Sequence, residues 1–226
     1  MDRTSSGSGG SPVRPERPSG LLLDLDGTLA DSLAALRGSF FAFLEAHGKI
    51  APPEDFELFN GPTLPIIIQQ MIDRYGLDGD AALLLERYQR TVMNAYRSVE
   101  LMPGARELFA GLPASVSIGV VTSNSEALTR EWLHARGVGS RVQAVIGRES
   151  VVRGKPDPQP YLVALTSIGC SAGDCIAIED SAAGAAAAMR AGIPTYLLAT
   201  ASVSPGAEGL RGTLTRLDEI LPLFRA

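Results

Sequence analysis

The run Leu21-Leu22-Leu23-Asp24-Leu25-Asp26-Gly27-Thr28-Leu29 is a fully apolar stretch that leads straight into two carboxylates and a glycine. If extended geometry persists through it, alternation puts Asp24 and Asp26 on one side. Two later apolar runs end in the same way. Val116–Val121 leads into Thr122-Ser123-Asn124, and Cys175–Ile178 leads into Glu179-Asp180-Ser181. In an open parallel sheet, ligands bind outside the carboxyl ends of the strands, so these distant groups are expected to converge.

Around these runs, short apolar segments alternate with segments of helical period, the pattern of an α/β domain with a mainly parallel sheet. The expected strands are Leu21–Leu25, Val116–Val121, Ala144–Ile146, Cys175–Ile178 and Thr195–Leu198. Helices are expected at Ser125–Arg136 and Ala182–Ala191, stopped by Gly137 and Gly192, because glycine suits the left-handed position after a helix. The Ala-rich stretch around Gly184 carries little side chain and permits close approach to the sheet.

Nearly a hundred residues separate the first strand from the second, far more than a direct crossover needs. The intervening pattern is helical. Leu33, Leu36, Phe40, Phe43 and His47 share a face, Thr63 can cap a helix with Pro65 in its first turn, and Ala81 to Arg97 continues the period. We therefore expect a disordered tail over residues 1–19, a core over 20–31 and 99–226, and an all-helical cap over 32–98. The tail is rich in Ser, Gly, Pro and Arg, and has too little apolar surface to offset the entropy of ordering.

With 226 residues and 45% hydrophobic content, the chain can bury a sizeable core. A net charge of −5 without a Lys/Arg run argues against nucleic acid. No stretch reaches the length of a membrane span, and the first residues lack the apolar region of a secretory signal, so a cytoplasmic protein is expected. Cys170 and Cys175 alone cannot close a zinc site and read as reduced thiols. Gly169-Cys170-Ser171-Ala172-Gly173 has the spacing of a serine-hydrolase elbow, but it follows a helix and precedes a strand, and no histidine comes after it.

Four converging acids, Asp24, Asp26, Glu179 and Asp180, would repel one another, so a hard divalent cation with oxygen ligands is the natural neutraliser. Magnesium fits best, since it pairs one or two carboxylates with substrate phosphate oxygens. Lys155, in Gly154-Lys155-Pro156-Asp157-Pro158, is a second counter-charge.

The ordered set Asp24-x-Asp26-Gly27-Thr28, Thr122, Lys155-Pro156 and Glu179-Asp180-Ser181 resembles the four motifs of the haloacid dehalogenase-like (HAD) superfamily, over about Leu21 to Leu198. That resemblance implies a three-layer, Rossmann-like core of strand order 5-4-1-2-3 with a helical cap of the first type. It further implies Asp24 as nucleophile and Asp26 as general acid and then base. Thr122, Ser123 and Asn124 would hold the transferring phosphoryl group, and Lys155 would pair with phosphate and nucleophile. Asp180 would ligate Mg²⁺ with Asp24 and the Asp26 carbonyl, assisted by Glu179.

The implied activity is Mg²⁺-dependent hydrolysis of a small phosphorylated metabolite, of the phosphoglycolate or sugar-phosphate class, by a monomer or weak homodimer. A phosphoglucomutase-like mutase shares the four motifs. Such mutases usually carry an arginine just after the cap-loop glycine, whereas here the loop reads Phe59-Asn60-Gly61-Pro62-Thr63-Leu64-Pro65. A non-catalytic binding module on the same fold is the remaining alternative. Arg37, Asn60 and Thr63 are expected to face substrate from the cap.

Overall fold

The computed structural model describes residues 17–59, 62–199 and 208–225. Asn60 and most of the expected tail lie outside these residues. Six parallel strands form one sheet: β1 (Gly20–Leu23), β2 (Ser117–Val121), β3 (Ala144–Ile146), β4 (Cys175–Glu179), β5 (Thr195–Leu198) and β6 (Gly212–Leu214), in the order β3-β2-β1-β4-β5-β6. The expected order 5-4-1-2-3 is present, extended by β6 at one edge. Alternation along β1 sends Leu21 and Leu23 into one apolar cluster and Leu22 into another, so helices cover both faces. On the first face lie α5 (Ala105–Gly111) and α6 (Glu126–Ala135). On the second lie α7 (Gln159–Ile168) and α8 (Ala182–Arg190).

Helix stops follow the glycines. Gly137 and Gly192 have φ of +73° and +80°, a region closed to most side chains. At the other ends, Ser125 and Ser181 accept hydrogen bonds from the N–H groups of Leu128 and Gly184, which fixes where α6 and α8 begin.

Between β1 and β2 the chain is helical: α1 (Leu33–Ala46), α2 (Phe56–Phe59), α3 (Leu64–Tyr75) and α4 (Ala81–Tyr96). Phe40 and Phe43 of α1 are buried, and Phe43 and Tyr88 bring α1 and α4 together with ring centroids 5.0 Å apart. Thr63 occupies the cap position of α3 as expected, but its side chain makes no capping hydrogen bond. Asp80 caps α4 fully, accepting from Ala82 N at 2.9 Å and Leu83 N at 3.1 Å.

The two segments that enter and leave this insert pair with each other. Asp31 N donates to Glu100 O and Met102 N to Leu29 O, each at 2.9 Å. Trp132 is core, and its indole N–H donates to Val99 O at 2.9 Å, tying α6 to the returning segment. Among the described residues, no helix is long and apolar enough to cross a membrane. Cys170 and Cys175 are free thiols. Ser171 lies in the connection between α7 and β4, where its hydroxyl donates to Asp174 at 2.5 Å.

Candidate active site

β1 ends at Leu23, two residues earlier than expected, because the backbone turns. Leu25 O accepts from both Leu29 N and Ala30 N, and Gly27 takes φ +82°. Strand alternation therefore does not set Asp26; this turn does. Asp24 is still held at the sheet, donating its N–H to Ile178 O at 3.1 Å. A Cβ on Gly27 would fall on the Asp180 carboxylate, so glycine is required there both for its φ and for the close approach of β4.

The ends of β1, β2 and β4 converge as expected. Asp24, Glu179 and Asp180 are buried, and each offers a carboxylate oxygen within 4.8 Å of the others. Lys155 sits among them. Its ammonium contacts Asp24 Oδ1, Glu179 Oε1 at 2.6 Å and Val121 O at 2.9 Å. The Lys155-Pro156 peptide is cis. Glu179 accepts from Tyr161 Oη at 2.6 Å and Ser181 Oγ at 3.3 Å besides Lys155.

Electrostatics match this packing. Burial, only partly opposed by Lys155, raises the Asp24 carboxyl well above its ordinary range, and Glu179, Asp180 and Asp26 push it further. Burial and then Glu179 raise Asp180 to about 7. Burial disfavours the Lys155 charge, but Asp24 and Glu179 outweigh it and hold the ammonium above the usual lysine value. One lysine does not neutralise three buried carboxylates. An all-oxygen donor set left with excess negative charge suits a hard divalent cation.

Asp26 is fixed separately. Its Oδ1 accepts from Ser32 Oγ at 2.7 Å and from the Tyr96 hydroxyl, and its Oδ2 accepts from Asn124 Nδ2 at 3.1 Å. Burial and the neighbouring Asp26 raise the Tyr96 phenol, so it serves as a neutral donor. Asn124 N donates to Thr122 Oγ1 at 3.0 Å, and Asn124 Oδ1 is buried without a partner among the described residues.

A cavity of about 920 Å³ opens above these groups, walled on the far side by the inserted helices. Of the expected phosphate-binding residues, Ser123, Asn124 and Lys155 line it, while Thr122 lies buried just behind. Thr63 lines the helical wall. Arg37 does not. It stacks over Phe41 and Phe56, with its guanidinium carbon 5.3 and 5.8 Å from the ring centroids, and donates to Pro53 O at 2.7 Å. The expectation that Arg37 faces substrate is therefore corrected: two aromatic faces and a carbonyl hold the guanidinium outside the cavity lining.

Sequence reading missed Ser32, Tyr96 and Tyr161. Tyr96 and Tyr161 look like core aromatics in sequence, because the carboxylates they bond lie elsewhere in the chain. Gly184, read as a packing residue, in fact makes room for the site: a Cβ there would fall on the Glu179 carboxylate.

The sequence profile described as Haloacid dehalogenase-like hydrolase matches residues 21–198. The chain belongs to this family. Within reach of it, a phosphoglycolate phosphatase of Xylella fastidiosa is 32% identical over 188 residues, covering 80% of this chain and 80% of that one. Hexitol phosphatase A of Escherichia coli is 27% identical over 205 residues, covering 90% of this chain and 94% of that one. The structure of CbbY from Rhodobacter sphaeroides in complex with phosphate has the same fold as this HAD-like hydrolase. It superposes with a TM-score of 0.81 at 22% identity, over 92% of this chain and 99% of that one.

Proposed function

We propose that this HAD-like hydrolase is a Mg²⁺-dependent phosphatase of small phosphorylated metabolites that works through an aspartyl phosphate on Asp24. The observation that carries the reading is the grouping of Asp24, Glu179, Asp180 and Lys155 at the carboxyl edge of the sheet, with the separately held Asp26 beside them. Its relatives named as phosphatases of phosphoglycolate and of hexitol phosphates support the same chemistry.

Asp24, with Asp180 and the Asp26 carbonyl, would hold Mg²⁺, and Glu179 would assist from behind. When bound, the cation supplies positive charge to the phosphoryl oxygens and to the carboxylates around it. Asp24 attacks phosphorus in line, forming an Asp–O–P bond as the bond to the leaving oxygen breaks, while Asp26 gives that oxygen its proton. Asp26 then takes a proton from water, whose oxygen attacks phosphorus; inorganic phosphate leaves and Asp24 is restored. Lys155, the Ser123 amide and Asn124 stabilise the transferring oxygens, which is most of what catalysis of phosphoryl transfer requires.

Ser32, Tyr96 and Asn124 occupy three acceptor positions of Asp26, two on Oδ1 and one on Oδ2. Oδ2 therefore keeps capacity for the transferred proton. In this reading residues 32–98 act as a cap that excludes bulk water over Asp24.

The test is release of inorganic phosphate from a panel of phosphomonoesters by the purified chain, with Mg²⁺ and with EDTA, for wild type and Asp24→Asn. Turnover that requires both Mg²⁺ and Asp24 supports the proposal. Turnover that survives chelation or Asp24→Asn defeats it.

A further inference from the structure

The cavity is charged on its floor and apolar on its opposite wall. That wall is formed by Leu58, Leu64, Ile66 and Ile67 of the inserted helices, and Val152 of the core stands on the rim. Val152 is 90% exposed, Leu58 58% and Ile66 50%, so large apolar side chains flank the mouth uncovered. Apolar surface of this kind in a cavity marks the place where a ligand supplies the cover.

Cations decide what the cover cannot be. Among the described residues lining the cavity, the basic ones are Lys155 and Arg148. Lys155, held by Asp24, Glu179 and Val121 O on the charged floor, serves the phosphoryl end of a substrate and not the leaving group. Arg148 Nε pairs with Glu149 Oε1 at 3.4 Å, and its side chain is only 20% exposed. Arg37 and Arg74 of the inserted helices are turned to Pro53 O and to Asp55, and neither they nor Arg87 and Arg90 of α4 line the cavity. Among the described residues, the inserted helices contribute no basic side chain to the cavity lining, so a carboxylate or second phosphate placed against their Leu and Ile side chains would have no counter-charge on that wall, a costly placement. The polar side chains that the described helical wall does offer are neutral: Tyr88, and the Thr63 hydroxyl, left without a capping bond.

We infer that the leaving group is an uncharged, predominantly apolar alcohol. The substrate class is then alkyl or aryl phosphomonoesters, in preference to phosphorylated acids or bisphosphates. The inference rests on the phosphatase reading for its word "substrate", but the shape and charge of the wall stand independently of turnover.

The experiment has a kinetic and a binding arm, both on the Mg²⁺-loaded full chain. In the first, kcat/KM is measured for ethyl, butyl and hexyl phosphate, 2-phosphoglycolate and fructose 1,6-bisphosphate. Each methylene buried against the wall is expected to raise kcat/KM about fourfold, or on the order of 10²-fold from ethyl to hexyl. Ile66→Lys is expected to flatten that slope and favour 2-phosphoglycolate. A slope that is flat in the wild type, or a preference for the acid or the bisphosphate, overturns the inference and leaves the phosphatase reading intact.

In the second arm, calorimetry compares hexylphosphonate with phosphonoacetate. Tighter hexylphosphonate supports the inference even if no ester is hydrolysed, which would sink only the phosphatase reading. Tighter phosphonoacetate overturns the inference by itself.

Discussion

Replacing Gly184 by alanine separates two physical effects of opposite sign. Gly184 lies in the first turn of α8, and helix propensity alone favours Ala over Gly by up to about 1 kcal/mol. The new Cβ, however, would land on all three atoms of the Glu179 carboxylate group. That carboxylate has nowhere to go, being fully buried and held by Lys155, Tyr161 and Ser181. Overpacking a well-filled site costs about 1–3 kcal/mol, and an overlap with an immobile charged group belongs at the upper end. The net expectation is a loss of about 2 kcal/mol, or about 4–8 °C in Tm for a chain of this size. Urea denaturation of wild type and Gly184→Ala should show a lower midpoint at unchanged slope. Phosphate release should fall as well, because displacing Glu179 displaces Lys155. Gly154→Ala, at a position with no atom within 4 Å of the added carbon, is the matched control and should lie within about 0.5 kcal/mol of wild type. A Gly184→Ala protein that gains stability would show that helix and strand do not approach as described.

Asp26→Asn should lower kcat by about 10²–10⁴-fold for an alkyl phosphate and much less for a nitrophenyl phosphate, whose leaving oxygen needs no proton; equal losses on both would refute the acid role. Tyr96→Phe removes one donor to Asp26 and should reduce kcat by about 10-fold or more with KM little changed, because the phenol touches the carboxylate and not the phosphoryl group. A change confined to KM would speak against it.

Asp55 accepts from Arg74 at 2.6 and 2.8 Å and from Tyr75 at 2.5 Å, and these bonds hold its carboxyl below the ordinary value of 3.8. A lowered folded-state pKa contributes stability above 3.8 that is lost as pH falls through the lower folded value. Asp55→Asn should accordingly be less stable than wild type at pH 7, with the gap narrowing below pH 3.8 in urea titrations. A gap that widens in acid would reverse the assignment.

Where a residue's role depends on its near neighbours in the chain, the sequence displays it. Gly137 and Gly192 stop helices because a left-handed φ is needed one residue past the last turn, and both have it. Strands β3 and β5 begin and end where their apolar runs do. β6 was not foreseen, since Gly212–Leu214 is three residues with no apolar run, and its existence depends on pairing with β5. Arg37 was misjudged because a cation near an expected cleft gives no sign, in one dimension, of the two rings and the carbonyl that hold it elsewhere.

The sequence by itself determined the chemical inventory: which strands end in carboxylates and hydroxyls, in what order, and that an insert must stand between the first two. Only tertiary structure decided how those groups are held. Tyr96 reaches Asp26 across 70 positions, Lys155 reaches Asp24 across 131, and Gly184 is needed because of a carboxylate on another element. The reason is one of range. Propensity, periodicity and capping act over a few residues and are written along the chain, whereas desolvation and ion pairing depend on what folding brings within a few ångströms.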